Sequence, residues 1–241
     1  MLKANNIAIV TPSYNEVENI SILIKRIRGI LPSTKIIIVD DSNIQVNKKI
    51  KKIVSMDKQI VLISRYKKLG RGTAIIKGFK EAFKDSKIEY VFEMDSDLAH
   101  DPKELNRFFK KNKNQDYDLV IGSRYLSGGK IKNIAKNRTV PSKIINIFLR
   151  IWLNIDVSDF TSGFRLYSRR AVKILTSSKL KSKGFITLSE TLYKIKHANL
   201  RIGEVPITWN YRIHGKSNVD LNEIIVSLYF VIKMRLVSLW T

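Results

Sequence analysis

Short apolar runs alternate with longer amphipathic ones through the first half of the chain. Ile7-Ala8-Ile9-Val10-Thr11 has the continuous apolar character of a strand buried on both faces, and Pro12-Ser13-Tyr14-Asn15-Glu16 reads as the loop after it. Over residues 19–30, Ile20, Leu23, Ile24 and Ile27 recur at the spacing of one helical face, which Pro32 stops. A second strand over residues 36–39 ends in Asp40-Asp41. A basic helix over about residues 45–56, a strand over residues 60–63 and a helix carrying Ile75, Ile76, Phe79, Ala82 and Phe83 follow. Tyr90-Val91-Phe92 begins a fourth strand, and residues 118–125 form another. Strands alternating with helices in this way predict an α/β fold with a mostly parallel sheet flanked by helices.

The fourth strand ends in two acids separated by one residue, Asp95 and Asp97, and a helix start follows with Asp101 as N-cap, Pro102 at the first helical position and Glu104 in the capping-box place. If the strand continues through Ser96, its period of two sends both carboxylates to one side. Like charges held that close want a cation. A hard divalent ion fits, because Mg²⁺ is commonly held by one or two carboxylates while substrate phosphate oxygens complete its shell. The competing reading is a solvated turn whose aspartates cap a helix. Tyr14, Asn15 and Glu16, then Asp40 and Asp41, then Asp95 and Asp97 all fall at carboxyl ends of predicted strands, where the ligand crevice of such a sheet lies. Gly70-Arg71-Gly72 either lets backbone approach a phosphate at a helix N-terminus or is a plain strand-to-helix turn; its spacing is neither the dinucleotide fingerprint nor a P-loop.

Charge widens the picture. Lys and Arg total 44 against 21 Asp and Glu in 241 residues, a formal charge of +23. Such a charge attracts nucleic acid, anionic lipid or phosphate-bearing substrates, or else it reflects lysines solvated on every surface helix. No recognised nucleic-acid-binding motif accompanies it, and strand-end carboxylates would face an anionic polymer, so nucleic acid is not expected as a partner. The absence of cysteine excludes disulfides and thiolate metal sites and is compatible with a reducing cytosol. The apolar run of residues 7–10 is too short for a signal-peptide core, and residues 224–232 fall short of the ~20 needed to span a bilayer, so membrane contact is expected only at the surface.

Beyond Tyr125 the pattern changes. Residues 126–137, with Ser127-Gly128-Gly129, read as a mobile basic loop. From Pro141 onward Ile144, Ile147, Phe148 and Ile151 share one helical face, with Ile145, Leu149 and Trp152 beside it. That helix either belongs to the core or lies against acyl chains, with Lys143 and Arg150 reaching lipid phosphates. Residues 221–240 have the same amphipathic character, with Lys233, Arg235 and Trp240. His100, His197 and His214 show no metal spacing, and the first two read as structural. Glu190 either orients an arginine or a sugar or is a helix-surface acid.

Taken in order, Pro12-Ser13-Tyr14-Asn15-Glu16, Val39-Asp40-Asp41-Ser42 and Asp95-Ser96-Asp97 resemble family 2 inverting glycosyltransferases of the GT-A fold. Gly122-Ser123-Arg124-Tyr125, Gly128-Gly129, Thr161-Ser162-Gly163-Phe164 and Tyr211-Arg212-Ile213-His214-Gly215-Lys216-Ser217 resemble the dolichyl- or polyprenyl-phosphate mannose synthase branch. The resemblance implies a single GT-A domain over residues 1–241. Residues 1–125 would bind the nucleotide sugar, and residues 126–241 the acceptor, with amphipathic interface helices. It implies a donor pocket at Pro12, Tyr14, Glu16 and Asp41, with Asp95 and Asp97 holding Mg²⁺ or Mn²⁺ on the donor diphosphate. Arg124, Arg138, Ser142 and Arg212 would receive the acceptor phosphate, which guanidinium forks bind well. Asp97, Arg124 and Arg138 are the implied catalytic residues, and Asp159, just before Ser-Gly-Phe, is a minor candidate near the donor.

The implied reaction is attack of a polyprenyl or dolichyl phosphate oxygen on the anomeric carbon of GDP-mannose, or of UDP-glucose as the alternative donor. An acceptor phosphate is already ionised near neutral pH and needs no general base; a hydroxyl acceptor, the other alternative, would need one and would dispense with Arg138. The implied location is cytoplasmic and peripheral, on an anionic membrane surface at the cytoplasmic face. Three features depart from the family. Ala99 stands where a Gln commonly adds a metal ligand, which bears on metal affinity and choice. Asp40-Asp41-Ser42 stands for three aspartates, which bears on the base. The chain shows no C-terminal membrane spans, which leaves attachment to amphipathic segments or a membrane-anchoring subunit.

Overall fold

The computed structural model describes residues 6–113, 115–133, 136–177, 180, 182, 184, 186–210 and 229–236, with residues 136–138 described in backbone only. Strand β1 (Ile7–Ser13) leads through helix α1 (Val17–Arg28) to β2 (Lys35–Asp40), α2 (Ile44–Val54), β3 (Ile60–Ser64), α3 (Arg71–Ala82) and β4 (Tyr90–Glu93). These elements fall within a residue or two of the predicted ones, except at the end of β4. Period-two alternation explains why: Ala8 and Val10 join the core cluster of Phe79 and Ala82, while Ile7 and Ile9 join that of Ile20, Leu23 and Ile27 on the other face. Gly78 allows α3 to lie close against β1, since a Cβ there would stand 2.3 Å from Cγ1 of Val10.

Later elements are α4 (Leu105–Lys113), β5 (Leu119–Ser123), β6 (Lys130–Lys132), α5 (Lys136–Leu153), β7 (Arg165–Ser168), α6 (Arg169–Ser177), α7 (Thr187–His197), β8 (Ile202–Pro206) and β9 (Thr208–Asn210). Among the described residues the main sheet has seven strands in the order β3-β2-β1-β4-β7-β5-β8. Its pairs are parallel except for the two made by β7, which is antiparallel to β4 and to β5. The strand order reverses at β1, which has β2 on one side and β4 on the other; a crevice opens there beyond the carboxyl ends.

Four local expectations are corrected. β4 ends at Glu93 rather than running through Ser96, because the chain turns with Leu98 at φ +63° and Asp97 accepts the N–H of Ala99 at 3.1 Å. Residues 130–132 form β6 instead of loop, since they pair with β9, a distant partner that no local pattern reveals. Helix α5 begins at Lys136 and contains Pro141, which has no N–H to give the carbonyl four residues back. Asp101 caps a 3-10 turn over Pro102–Glu104 by accepting the Lys103 N–H, but Glu104 closes no capping box: its carboxylate takes the Thr208 N–H at 3.3 Å and the Arg107 guanidinium at 3.0 Å. Among the described residues no helix is long and apolar enough to cross a membrane.

Candidate active site

The crevice at the ends of β1, β2 and β4 is a cleft of about 210 Å³ lined by Pro12, Ser13, Tyr14, Glu16, Asp41, Asp95, Ser96 and Asp97, with Lys68, Gly70 and Arg71 on the facing wall. Asp95 and Asp97 reach it from the turn after β4, which the Ser96 hydroxyl fastens to β1 through the Pro12 carbonyl at 2.9 Å. The neighbouring acids Asp40 and Asp41 divide their work. Asp40 is buried and accepts from Ser42 and Asn47, both at 2.7 Å, which fixes the end of β2. Asp41 faces the cleft, accepts the Arg65 fork at 2.5 and 2.7 Å, and takes the N–H of Leu69 at 2.9 Å, so it also holds the loop before α3. Tyr14 stands at the rim, 38% exposed, with Lys68 Nζ 5.2 Å from its ring centroid.

Arg71, the first residue of α3, bridges two acids. Its Nη1 donates to Glu93 Oε1 at 2.5 Å and its Nε to Asp95 Oδ1 at 2.9 Å. Burial works against the Arg71 charge, yet Asp95 and Glu93 more than restore it and push its pKa upward. Glu93 also accepts the Tyr167 hydroxyl at 2.8 Å, and that phenol is pushed up by burial and by the Glu93 charge. The backbone of Gly163 comes so close that a Cβ would lie 2.3 Å from Arg71 Nη2 and 2.7 Å from Asp95 Oδ2.

A second polar cluster begins where β5 ends. Arg124 is clamped by Asp159 and by the Thr161 hydroxyl at 2.6 Å, and its guanidinium lies 5.2 Å from the Tyr125 ring and 5.8 Å from that of Trp209. Tyr125 donates to the Ser142 hydroxyl on α5 at 2.9 Å, and Asn146 on α5 takes the Phe160 N–H at 2.6 Å. His100 lies between the clusters, buried and stacked on Phe164 with ring centroids 5.0 Å apart. Burial lowers its pKa, Asp95 and Asp97 oppose that, and Arg124 and Arg71 add to it. Arg124 in turn feels the charge of Asp95, so the two clusters share one electrostatic neighbourhood.

Of the residues singled out in the sequence, Pro12, Tyr14, Glu16, Asp41, Asp95 and Asp97 come together in the cleft, and Arg124 and Ser142 are linked through Tyr125, which lies against the first and bonds the second. The side chain of Arg138 and the whole of Arg212 lie outside the described residues. Asp159 serves Arg124. Glu190 is buried, not a surface acid, and accepts the Ser182 N–H at 2.9 Å. The sequence alone does not reveal Lys68 and Arg71 as side chains of the cleft, nor Arg65 as the partner of Asp41. Their signal was position, since all three follow the end of β3 and precede or open α3. Trp209 gave no local signal.

Asp95 and Asp97 form a donor set suited to a Mg²⁺- or Mn²⁺-sized ion that takes its remaining oxygens from phosphate and water. Among the described residues no group of three or more His, Asp or Glu side chains makes an all-protein metal cage. Ala99 is buried, and its backbone is committed to Asp97 and, through its carbonyl, to the Asn210 N–H at 3.0 Å.

Polyprenol monophosphomannose synthase of Mycolicibacterium smegmatis is 29% identical to this chain over 225 residues, covering 92% of this chain and 84% of that protein. Undecaprenyl-phosphate mannosyltransferase of Micrococcus luteus is 29% identical over 212 residues, covering 88% and 86%. The fold is similar to that of Mycobacterium tuberculosis glucosyl-3-phosphoglycerate synthase, with a TM-score of 0.63 at 19% identity over 95% of this chain and 81% of that one. That enzyme in complex with Mn²⁺, UDP and glucosyl-3-phosphoglycerate also gives a TM-score of 0.63, at 20% identity over 95% and 77%. The sequence pattern of glycosyl transferase family 2 matches residues 8–175, more than half the chain. With its GT-A-like sheet and the acid-lined cleft at the strand ends, the chain therefore belongs to glycosyl transferase family 2 and is a glycosyltransferase.

Proposed function

We propose that this glycosyltransferase moves a hexose, mannose from GDP-mannose in the first place, to a polyprenyl or dolichyl phosphate at a membrane surface, with inversion at the anomeric carbon. The observation that carries the reading is an acid-lined cleft holding Asp95 and Asp97 with an arginine close by: Arg124 donates to Thr161, two residues before Gly163, whose backbone abuts Asp95. The two mannosyltransferase relatives, similar across most of their length, support the choice of sugar and acceptor.

Pro12, Tyr14, Glu16 and Asp41 form the nucleotide end of the site, and Asp95 and Asp97 would hold Mg²⁺ or Mn²⁺ at the diphosphate. When bound, the ion supplies positive charge to the leaving diphosphate. Arg124, Arg138, Ser142 and Arg212 receive the acceptor phosphate, offsetting repulsion between two anionic reactants and aligning the attacking oxygen. Asp159 holds the Arg124 fork by Nε and Nη2, which fixes the guanidinium that would meet the acceptor phosphate.

Helix α5 supports the membrane part of the reading. Leu149 and Leu153 enter the core, while Val140, Ile144, Ile147 and Ile151 stay exposed along one stripe, and Lys143 and Arg150 flank it. An apolar stripe edged by basic residues suits the interface of an anionic bilayer, here at the cytoplasmic face. The experiment is direct: the protein is incubated with Mn²⁺, labelled GDP-mannose or UDP-glucose, and a polyprenyl phosphate. Label from GDP-mannose passing into the organic phase supports the proposal. Label from UDP-glucose alone replaces the donor, and no transfer from either refutes the acceptor class.

A further inference from the structure

Arg71 is an unexpected neighbour for a metal-binding carboxylate. Nε and Nη2 both rest on a single oxygen of Asp95, Oδ1, at 2.9 and 2.8 Å, while Nη1 holds Glu93 at 2.5 Å. The arginine opens α3, lines the same cleft as Asp95 and Asp97, and has only 11% of its side chain exposed. Gly163 closes over it with no room for a Cβ, so the fork is caged rather than swinging in solvent.

We propose that Arg71 is a built-in counter-ion that competes with the divalent cation for Asp95 and makes metal binding depend on the donor diphosphate. The proposal rests on the assignment of Asp95 and Asp97 as the metal-binding pair. One guanidinium joins Glu93 to Asp95, and Asp97 lines the same cleft as Arg71 and Asp95. Arg71 withholds Oδ1 of Asp95 and cancels one negative charge beside the site. Ala99 brings no oxygen ligand from its side chain to make up the loss. The bare protein therefore offers a metal only a weakened pair of carboxylates, and the diphosphate must complete the shell and offset the guanidinium.

Removing Arg71 alone would strand the buried Glu93 charge, so the informative comparison is Glu93→Gln against the double variant Glu93→Gln/Arg71→Met, with Arg71→Lys as a gentler test. Free Mn²⁺ is counted by electron paramagnetic resonance during titration of each protein without nucleotide. The double variant is expected to bind Mn²⁺ at least about tenfold more tightly than Glu93→Gln, from the loss of one unit charge a few ångströms away. Arg71→Lys, whose single ammonium stays with the buried Glu93, is expected to bind Mn²⁺ more tightly than wild type. A merely structural arginine would move the affinity the other way. Equal or weaker Mn²⁺ binding in both Arg71 variants, or no saturable binding in any protein, overturns the proposal. Failure of the sugar-transfer reading would appear in the organic-phase assay and leave the titration standing.

Discussion

Asp159, with no exposed surface, takes both arms of the Arg124 fork: Nε lies 2.7 Å from its Oδ2 and Nη2 2.8 Å from its Oδ1. Burial alone would raise this carboxyl, but the guanidinium overcomes it and holds the acid below its ordinary 3.8. Replacing Asp159 by Asn leaves a buried, uncompensated cation. The expected loss is about 3–5 kcal/mol of stability. The sign with pH follows from the depressed value: the pair's contribution is fully present above 3.8 and fades as pH falls through the lower folded value. Calorimetric melts should therefore show a constant gap between wild type and Asp159→Asn at neutral pH that closes only in strong acid.

Asp97 makes a different kind of prediction. It lines the cleft and accepts the Ala99 N–H, so Asp97→Ala should cost about 0.5–1.5 kcal/mol of stability, while turnover drops by at least about a hundredfold. Chelator should do the same to wild type, reversibly on adding Mn²⁺. An Asp97→Ala variant that transfers sugar at the wild-type rate would remove the metal assignment.

Gly163→Ala tests the cage over Arg71 and Asp95. The new methyl would meet Arg71 Nη2 at 2.3 Å and Asp95 Oδ2 at 2.7 Å. Pushing them apart should cost about 1–3 kcal/mol, divided between stability and donor binding. Steady-state kinetics should show a raised KM for the nucleotide sugar with little change for the acceptor.

How much of this was legible beforehand depends on where each partner sits in the chain. The parallel half was readable because β1 to β4 carry their own signals, and acids at strand ends in such a sheet converge whatever the details. Asp95 and Asp97 reach the cleft from a turn and not from a strand running through Ser96. Strand β7 was not anticipated: Arg165-Leu166-Tyr167-Ser168 puts two large polar groups into a fully buried strand, and its meaning appears only with the carbonyls of Ser162, Leu188 and Phe160 around the Arg165 guanidinium. Arg71 looked like one member of a glycine-rich turn; that it spans Glu93 and Asp95 is a fact of the tertiary fold.

The stripe on α5 predicts a separable loss. Ile144→Asp and Ile151→Asp, exposed by 61% and 72%, should leave the melting temperature nearly unchanged. Each should remove about 1.5–3 kcal/mol of apolar transfer, so together they should lower affinity for anionic vesicles by on the order of a hundredfold or more. Sedimentation with vesicles measures it, and binding equal to wild type would dismiss α5 as the docking face.

Because β7 runs against its neighbours and is stitched between β4 and β5, the later half of the chain plants one of its own strands inside the earlier half. The segments before and after Tyr125 are thus not modules that recombination could swap at a clean seam. A chimera cut after Tyr125 would strip β4 and β5 of the rung that joins them, so, with Arg124 in its proposed acceptor role, preference should diversify by point changes around that residue, not by exchange of whole halves.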